Sequence, residues 1–222
     1  DHGIRSESAD DGVFVERLAT EYGFQYEIER AELGADCSEE QARKMRYNFL
    51  RQCSKKYNAS GIVLAHHRDD AVETAILNLI RGTGWRGLSS LRSTDELRRP
   101  LLSFSKPQLI DYAKQHGLGW VEDATNTDET YLRNYIRHQL IPKATSQDDD
   151  FVTQILRFIA KSNTQREAID DMLNEFTGSL VHGESYEIRR YELVMLPTLV
   201  AKEIVYSVLV KLNPDWHPSS TQ

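Results

Sequence analysis

The sequence has 222 residues, of which 40% are hydrophobic and 27% are charged, and its formal net charge is −7. This composition is typical of an ordinary globular protein, and no apolar run is long enough to predict a membrane span or a signal peptide. The two cysteines, Cys37 and Cys53, are too few for a disulfide framework, so we expect a reducing, cytoplasmic location.

The first part of the chain predicts two helices separated by a strand. An approximate apolar stripe predicts a helix over 7–22 that Gly23 ends, and the alternation of FQYEIER predicts a strand over 24–30. Ser38 is followed three residues later by Gln41, which is a capping-box pattern at the start of a second helix.

The central part of the chain repeats this order. GIVLA, residues 61–65, is a short apolar run typical of a strand buried on both faces of a parallel sheet. The helix that follows should bury five apolar side chains: Val72, Ala75, Ile76, Leu79 and Ile80. Ser105-Lys-Pro-Gln predicts a further capped helix, and LGWVED, residues 118–123, a further strand. The fold class is therefore predicted as α/β, a Rossmann-like parallel sheet with flanking helices and right-handed crossovers.

A change in composition predicts a domain boundary. The acidic stretch SQDDDF, residues 146–151, follows the α/β pattern, so we place one domain at 1–145 and a mostly helical region at 146–222. Within that region we expect helices around 151–178 and 196–212, joined through a glycine-containing turn and the strand-like YEIRR.

The stretch LAHHRDDAVET concentrates polar groups where a predicted strand ends. Two histidines follow the strand and three acids begin the next helix: His66, His67, Asp69, Asp70 and Glu73. Ligands of open α/β sheets bind beyond the carboxyl ends of the strands, and Asp70 and Glu73 share one helix face. Three adjacent carboxylates require a nearby positive group, which a helix dipole, an arginine, a metal ion or a cationic substrate could supply.

Two other interpretations of this cluster stay open. Helix capping explains Asp69 well, but it does not account for two histidines and three acids together. A metal site is the second interpretation, because His66, Asp70 and Glu73 offer three ligands, although their spacing is not diagnostic for zinc. A metal-dependent hydrolase is therefore one rival hypothesis.

Two basic stretches interrupt the acidic chain. QARKMRYNFLRQCSKKY, residues 41–57, carries six Lys or Arg residues and no acid, and LRNYIRHQLIPK follows at 132–143. A local basic surface attracts a polyanion more than the net charge does, so these stretches indicate nucleic-acid binding. A solvated helix face is the alternative for either stretch alone.

Three parts of the sequence together resemble the tRNA(Ile)-lysidine synthetases, within the PP-loop (N-type) ATP pyrophosphatase superfamily. They are LAHHRDDAVETAILNLIRGTGWRGLSSL, the opening DHGIRSES with ARKMRY at 42–47, and WVEDATNTDETYLRNYIRHQLIP at 120–142. The resemblance implies an enzyme that uses Mg-ATP to adenylate the C2 oxygen of the wobble cytidine (C34) in an isoleucine tRNA with a CAU anticodon. The ε-amine of free lysine then displaces AMP and leaves lysidine.

The resemblance also implies roles for individual residues. Asp70 and Glu73 would hold lysine and take its proton as catalytic residues. His66, Arg46 and Asp70 would contact ATP, with Mg²⁺ near Asp70, and Arg46 would also meet the activated cytidine unless it simply faces solvent. Three arginines would contact the tRNA: Arg43, Arg133 and Arg137. No membrane partner is implied, and a homodimer is left open.

One element of the family is not found in this sequence. The Ser-Gly-Gly-x-Asp-Ser loop that holds the ATP phosphates should lie upstream of Asp1, together with its strand and helix, and the larger C-terminal domain of many relatives should also be absent. Residues 1–145 would then be a PP-loop ATPase-like catalytic domain without its nucleotide loop, and 146–222 a tRNA- and substrate-binding region. A related 2-thiolation enzyme, which usually carries paired cysteines, and a non-catalytic tRNA-binding fragment are the alternative functions.

Overall fold

The computed structural model describes residues 1, 8–31, 37, 39–83, 85–89, 91–121, 132–182 and 185–213. The chain divides into two compact units: unit 1 comprises Asp1–Arg68 and Ser93–Asn126, and unit 2 comprises Asp69–Arg92 and Thr127–Gln222. In the described ranges, no helix combines the length and the apolar content needed to cross a membrane.

Helices dominate the described structure. In chain order the α-helices are α1 Ser8–Glu21, α2 Glu39–Lys56, α3 Arg68–Ile80, α4 Trp85–Leu88, α5 Lys106–Gln115, α6 Leu132–Tyr135, α7 Ile141–Gln147, α8 Phe151–Gly178, α9 Arg190–Met195 and α10 Thr198–Leu212. The strands are β1 Ile62–Val63, β2 Leu97–Arg98, β3 Val181–His182 and β4 Ser185–Tyr186. A 3-10 helix spans Pro100–Ser103 and a π-helical turn spans Ile136–Leu140.

The predicted parallel sheet is present only as a small one. Strand β1 pairs with β2 in parallel, with Ile62 opposite Leu97 and Val63 opposite Arg98. The α/β character is thus confirmed in its coarse form, whereas the described residues show no large Rossmann-like sheet. The prediction that GIVLA is buried on both faces was wrong, because Val63 is 68% exposed while Ile62 is buried. A strand is buried on both faces only where other elements pack on both sides of its sheet, and Val63 shows that one side of this two-stranded sheet is exposed.

Two other predicted strands are not observed. Residues 24–30 and 118–121 have no strand assignment, and the rest of LGWVED lies outside the described residues. Alternation of side chains indicates a half-buried strand, but a strand also needs a neighbour for its backbone hydrogen bonds. Among the described residues, Asp1 is such a neighbour near residue 30: its amino group donates to Glu29 O at 3.0 Å and its carbonyl accepts from Ala31 N at 2.8 Å.

The predicted helices agree with the structure better than the predicted strands do. Helix α1 ends before Gly23, whose φ of 71° lies in the left-handed region that glycine adopts without strain. The capping box of α5 is confirmed, because Ser105 Oγ accepts from Gln108 N and Gln108 Oε1 accepts from Ser105 N. Ser38, the predicted cap of α2, lies outside the described residues.

Helix α3 contributes its middle turns to the core of unit 2. Val72, Ala75 and Ile76 are buried as predicted, whereas Leu79 and Ile80 are exposed in the last turn of the helix. Val72, Ile76 and Leu77 pack around Ile136, and the start of α8 packs against the same cluster. Burial at i, i+4 and i+5 gives α3 one apolar face toward the helical run at 132–147.

A π-helical turn interrupts the helical run at 132–147. Ile141 N donates to Ile136 O, five residues earlier, and Pro142 follows immediately. A proline in a continuing helix has no N–H to donate and its ring displaces the carbonyl four residues before it, so the turn widens there.

The second half of unit 2 is mainly helical, as predicted. Helices α8 and α10 match the expected spans closely, and YEIRR begins within β4, which pairs antiparallel with β3. Leu173, Leu180 and Ile204 form a separate buried cluster that joins α8 to α10. The boundary between 1–145 and 146–222 stays a prediction.

Replacing Ile136 should test how much unit 2 depends on the core beside α3. Ile136→Ala removes a side chain that is 0% exposed, so the free energy of unfolding should fall by about 2–5 kcal/mol through lost transfer energy and a residual cavity. Leu132→Ala, in the same helical run but 40% exposed, is the control and should cost less than about 1 kcal/mol. Denaturant unfolding of both variants measures the difference, and equal losses would contradict the packing described.

Candidate active site

A buried carboxylate with two arginine partners is the central feature of unit 2. The side chain of Glu73 is 2% exposed, and Arg137 holds it through Nε to Oε1 at 2.6 Å and Nη2 to Oε2 at 2.9 Å. Arg133 Nε adds a contact to Oε2 at 3.3 Å, and its Nη2 donates to Thr74 Oγ1 at 2.9 Å. The guanidinium of Arg137 thus forms the bidentate pair that is the strongest geometry for a carboxylate.

The local sequence explains why these groups meet. Arg133 and Arg137 are four residues apart in the helical run at 132–147 and therefore share one face. Val72 and Ile76, on either side of Glu73 in α3, pack against Ile136 of that run. Apolar packing therefore brings the two helices together, and the carboxylate and the guanidiniums meet at the edge of that contact.

Asp70 lies one turn before Glu73 and shares one of its partners. Arg137 Nη2 lies 3.8 Å from Asp70 Oδ1, beyond hydrogen-bonding distance but within reach of strong electrostatic attraction. The hydrogen bond to Glu73 raises the pKa of Arg137 above its usual range, and the negative charges of Glu73, Asp70 and Asp69 outweigh the opposing effect of burial.

The charge balance of this cluster answers the question raised by its three acids. Asp69, Asp70 and Glu73 carry three negative charges, and Arg133 and Arg137 carry two positive charges, so the five side chains have a formal charge of −1. Arginine is thus the positive group that makes the acids compatible.

A second polar group belongs to unit 1 and lies where both parallel strands end. Arg99 follows β2 directly, is 5% exposed, and donates from Nε to His66 Nδ1 at 3.2 Å. His66 lies three residues after β1, so the parallel pairing brings the two side chains to the same end of the sheet. Arg99 Nη2 also donates to Tyr47 Oη of α2 at 3.4 Å.

Two arginines of the basic helix α2 are exposed, unlike the buried Arg99. Arg43 Nη2 donates to Tyr47 Oη at 3.1 Å, and its guanidinium lies 4.8 Å from the centre of the Tyr47 ring. Arg43 and Arg46 are both exposed. An exposed guanidinium held on an aromatic ring is suited to a phosphate, because little desolvation has to precede the contact.

A third charged cluster, also in unit 2, ties the RGTGWRGL stretch to the helical region. Arg86 contacts Glu203 of α10 at 2.6 Å and Asp170 of α8 at 3.0 Å, and Arg92 contacts Asp170 at 3.2 Å. Burial disfavours the charged form of Arg86, but the hydrogen bonds and charges of Glu203 and Asp170 outweigh this effect and raise the pKa of Arg86.

Arg166 of α8 shows the opposite shift. Burial and the positive charge of neighbouring Arg92 lower the pKa of Arg166, whose Nη1 donates to Ser89 Oγ at 3.2 Å.

The structure relates the predicted residues within each unit. Asp70, Glu73, Arg133 and Arg137 form one cluster in unit 2, while His66 and Arg43 are linked through Arg99 and Tyr47 in unit 1. In the described part of the chain, no group of three or more His, Cys, Asp or Glu side chains is placed to hold a metal ion. The hydrolase hypothesis therefore gains no support from His66, Asp70 and Glu73.

Sequence reasoning missed three residues of these clusters. Arg99, Tyr47 and Thr74 were not identified as candidates, although Arg99 directly follows an observed strand. Ligands of α/β sheets bind at strand ends, but the sequence pattern predicted no strand at 97–98, so this position gave no signal before the structure. Tyr47 and Thr74 gave no signal either, because their relevance depends on contacts with distant segments.

Comparison with known proteins adds independent information. A family model described as "PP-loop domain" matches residues 1–144. A protein of Wolbachia pipientis named tRNA(Ile)-lysidine synthase is 34% identical, over 98% of this chain and 53% of the relative. Proteins with the same name from Thermotoga maritima and Exiguobacterium sibiricum are 33% and 41% identical, over 79% and 64% of this chain and 44% and 35% of the relatives. The chain thus spans about half, or less, of the length of these curated relatives.

The burial of Glu73 predicts different consequences for the two acids. Glu73→Gln should lower the free energy of unfolding by about 3 kcal/mol, because two mostly buried arginines lose their anionic partner. Asp70→Asn should cost less than Glu73→Gln, since Asp70 lies 3.8 Å from Arg137 and the amide keeps the size of the side chain and its capacity to accept hydrogen bonds.

Glu96→Gln is the matched control for this comparison, because it makes the same chemical change in an exposed pair with Arg51. It should change stability by about 0.5 kcal/mol or less. Denaturant unfolding of the three variants gives the ranking, and a Glu73→Gln variant as stable as Glu96→Gln would contradict the role given to the buried pair.

Proposed function

This chain belongs to the PP-loop domain family, and on that premise we propose that it forms lysidine by joining lysine to a cytidine of isoleucine tRNA at the expense of ATP. The charge balance around Asp70 and Glu73 is the observation that carries the proposal. A formal charge of −1 beside a mostly buried carboxylate suits the ammonium group of lysine.

The proposed reaction has two steps that balance. The C2 oxygen of the wobble cytidine (C34) of a tRNA with a CAU anticodon attacks the α-phosphorus of ATP, and pyrophosphate leaves. The ε-amine of lysine then attacks C2, a C–N bond forms, and the C–O bond to AMP breaks. The amine must lose its proton before or during this attack, so a carboxylate close to it has a chemical task.

The two acids receive different roles in this mechanism. Asp70 would hold the lysine ammonium and accept its proton. Glu73 would add its negative charge to the lysine-binding surface while it holds Arg133 and Arg137 in place. The bidentate pair with Arg137 supports this division, because both carboxylate oxygens of Glu73 already accept hydrogen bonds from guanidinium N–H groups.

The nucleotide would be held by residues of the predicted domain 1–145. We assign ATP contacts to His66, Arg46 and Asp70, and a catalytic contact with the activated cytidine to Arg46. The exposed guanidinium of Arg46 fits a phosphate ligand, and the carboxylates of Asp69 and Asp70 are the hard oxygen donors that Mg²⁺ prefers. Mg²⁺ bound with ATP would neutralise phosphate charge. We also propose that the nucleotide-binding domain has a Rossmann-like parallel sheet with more strands than β1 and β2.

Contacts with tRNA are proposed for three arginines: Arg43, Arg133 and Arg137. Arg43 is exposed and oriented by Tyr47, whereas Arg133 and Arg137 are mostly buried against Glu73 and would offer only part of their guanidiniums. Residues 146–222 would extend this binding surface. The cytoplasm is the proposed compartment, since two cysteines are too few for a disulfide framework.

Asp70→Asn tests the chemistry. In the full protein chain, lysine incorporation into isoleucine tRNA should fall about a hundredfold, because a well-placed charged group contributes on the order of 3 kcal/mol to such a step. Binding of tRNA and stability should be nearly unchanged. Labelled lysine in tRNA is the measurement, with tRNA-dependent pyrophosphate release from ATP as a second readout.

Two outcomes would contradict the proposal. Wild-type lysine transfer by Asp70→Asn would remove Asp70 from the mechanism. A wild-type chain that binds tRNA without any dependence on ATP or lysine would identify the non-catalytic tRNA-binding alternative, and transfer of sulfur instead of lysine would identify the 2-thiolation alternative.

Arg43→Gln tests tRNA binding without disturbing the buried pair. The variant should bind tRNA more weakly, and the slope of log K against log salt should decrease by roughly one, as expected for one lost phosphate contact. Lys114→Gln, an exposed cation in the last turn of α5, removes the same charge and should leave the slope unchanged. Equal slopes for Arg43→Gln and wild type would show that Arg43 only faces solvent.

Arg133→Gln and Arg137→Gln should weaken tRNA binding as well, but with a loss of stability that Arg43→Gln does not show. The reason is that each leaves Glu73 with a single arginine. Binding measured under conditions where the variants stay folded separates the two effects. An unchanged salt slope would make these arginines structural partners of Glu73 only.

A further inference from the structure

We propose that Arg99 is a positioning residue that holds His66 as the neutral tautomer with its proton on Nε2, so that His66 acts as a hydrogen-bond donor and not as a base. The assignment of His66 to the nucleotide rests on the proposed function. The tautomer itself rests only on the contacts of Arg99, which is buried where the two parallel strands end.

The chemistry of the two groups fixes the direction of their hydrogen bond. A guanidinium carries only N–H donors and stays protonated in proteins, so the contact of 3.2 Å between Arg99 Nε and His66 Nδ1 must run from arginine to histidine. His66 Nδ1 is then an acceptor without a proton. A neutral imidazole has one N–H, and Nε2 must carry it.

The same contact disfavours the charged form of His66. An imidazolium has N–H groups on both ring nitrogens, so its Nδ1–H would point at the Nε–H of Arg99 and two positive charges would be adjacent. A buried arginine therefore makes His66 a poor proton acceptor through Nδ1.

The surroundings of Arg99 keep its guanidinium in this orientation. Its backbone N–H donates to Ser93 Oγ at 2.8 Å, and its Nη2 donates to Tyr47 Oη at 3.4 Å. Strand β2 immediately precedes it, and β1 immediately precedes the segment that carries His66. The donor and the acceptor are thus held by paired strands, and the contact does not depend on a long flexible loop.

The consequence for the proposed reaction is a specific role for His66. A neutral N–H donor can stabilise an anionic oxygen of the nucleotide. The proton of lysine would then go to Asp70, and His66 would contribute to the adenylation step.

Nitrogen NMR of the histidine side chains tests the tautomer directly. In the full chain labelled with ¹⁵N, the His66 ring is assigned by its loss in His66→Gln. Wild-type protein at neutral pH should show an unprotonated Nδ1 and a protonated Nε2. Arg99→Met should shift these signals toward the other tautomer or toward the imidazolium.

Arg98→Met is the matched control. Arg98 is the neighbouring arginine of β2, and its Nη2 contacts Ser60 O at 3.2 Å, so its loss removes the same charge without touching His66. The His66 signals should be unchanged in this variant. A protonated Nδ1 in the wild type, or the same shift in both variants, would overturn the proposal. The wild-type spectrum decides the first point even if Arg99→Met does not fold.

Activity supplies a second readout. Arg99→Met should lower kcat for tRNA-dependent pyrophosphate release from ATP roughly tenfold, with tRNA binding unchanged, since the residue acts through His66 on the adenylation step. An unchanged kcat together with an altered tautomer would overturn the donor role. The nitrogen spectrum is independent of lysidine formation, so failure of the proposed function would appear as a separate result.

Discussion

The buried carboxylate of Glu73 is the constraint on which the arrangement of unit 2 depends. An anion that is 2% exposed costs several kcal/mol to remove from water, and only close cationic partners offset that cost. Arg133 and Arg137 reach it from a segment about 60 residues later in the chain, which fixes the orientation of α3 against the helical run at 132–147. The apolar contact around Ile136 and this ion pair therefore specify the same register of the two helices.

The same arrangement separates residues that stabilise from residues that can react. Both carboxylate oxygens of Glu73 accept hydrogen bonds from guanidiniums, while Asp70 Oδ1 lies 3.8 Å from Arg137 Nη2. The carboxylate of Asp70 therefore lies in the electrostatic field of Arg137. In the proposed mechanism Asp70 is the reactive acid, and the buried charge of Glu73 beside it is paired with arginine.

Unit 1 also contains a buried charged side chain, Arg99, that is held by hydrogen bonds. Its guanidinium donates hydrogen bonds to His66 and Tyr47. Buried polar groups in proteins are nearly always hydrogen-bonded, and here the bond also determines which ring nitrogen of His66 can donate. The short parallel pair of β1 and β2 provides the rigid frame for this choice.

The sequence by itself determined the local features of this protein. Helix spans, the capping box of Ser105 and the polar cluster that contains Asp70 all follow from periodicity and short-range hydrogen bonding, which neighbouring residues decide. Only the tertiary structure decided which acid is buried, which arginines hold it and which nitrogen of His66 faces Arg99. It also left 24–30 without a strand, because the alternation of side chains cannot supply a neighbouring strand. Pairing between distant segments depends on how their apolar faces pack, and a one-dimensional pattern does not contain that information.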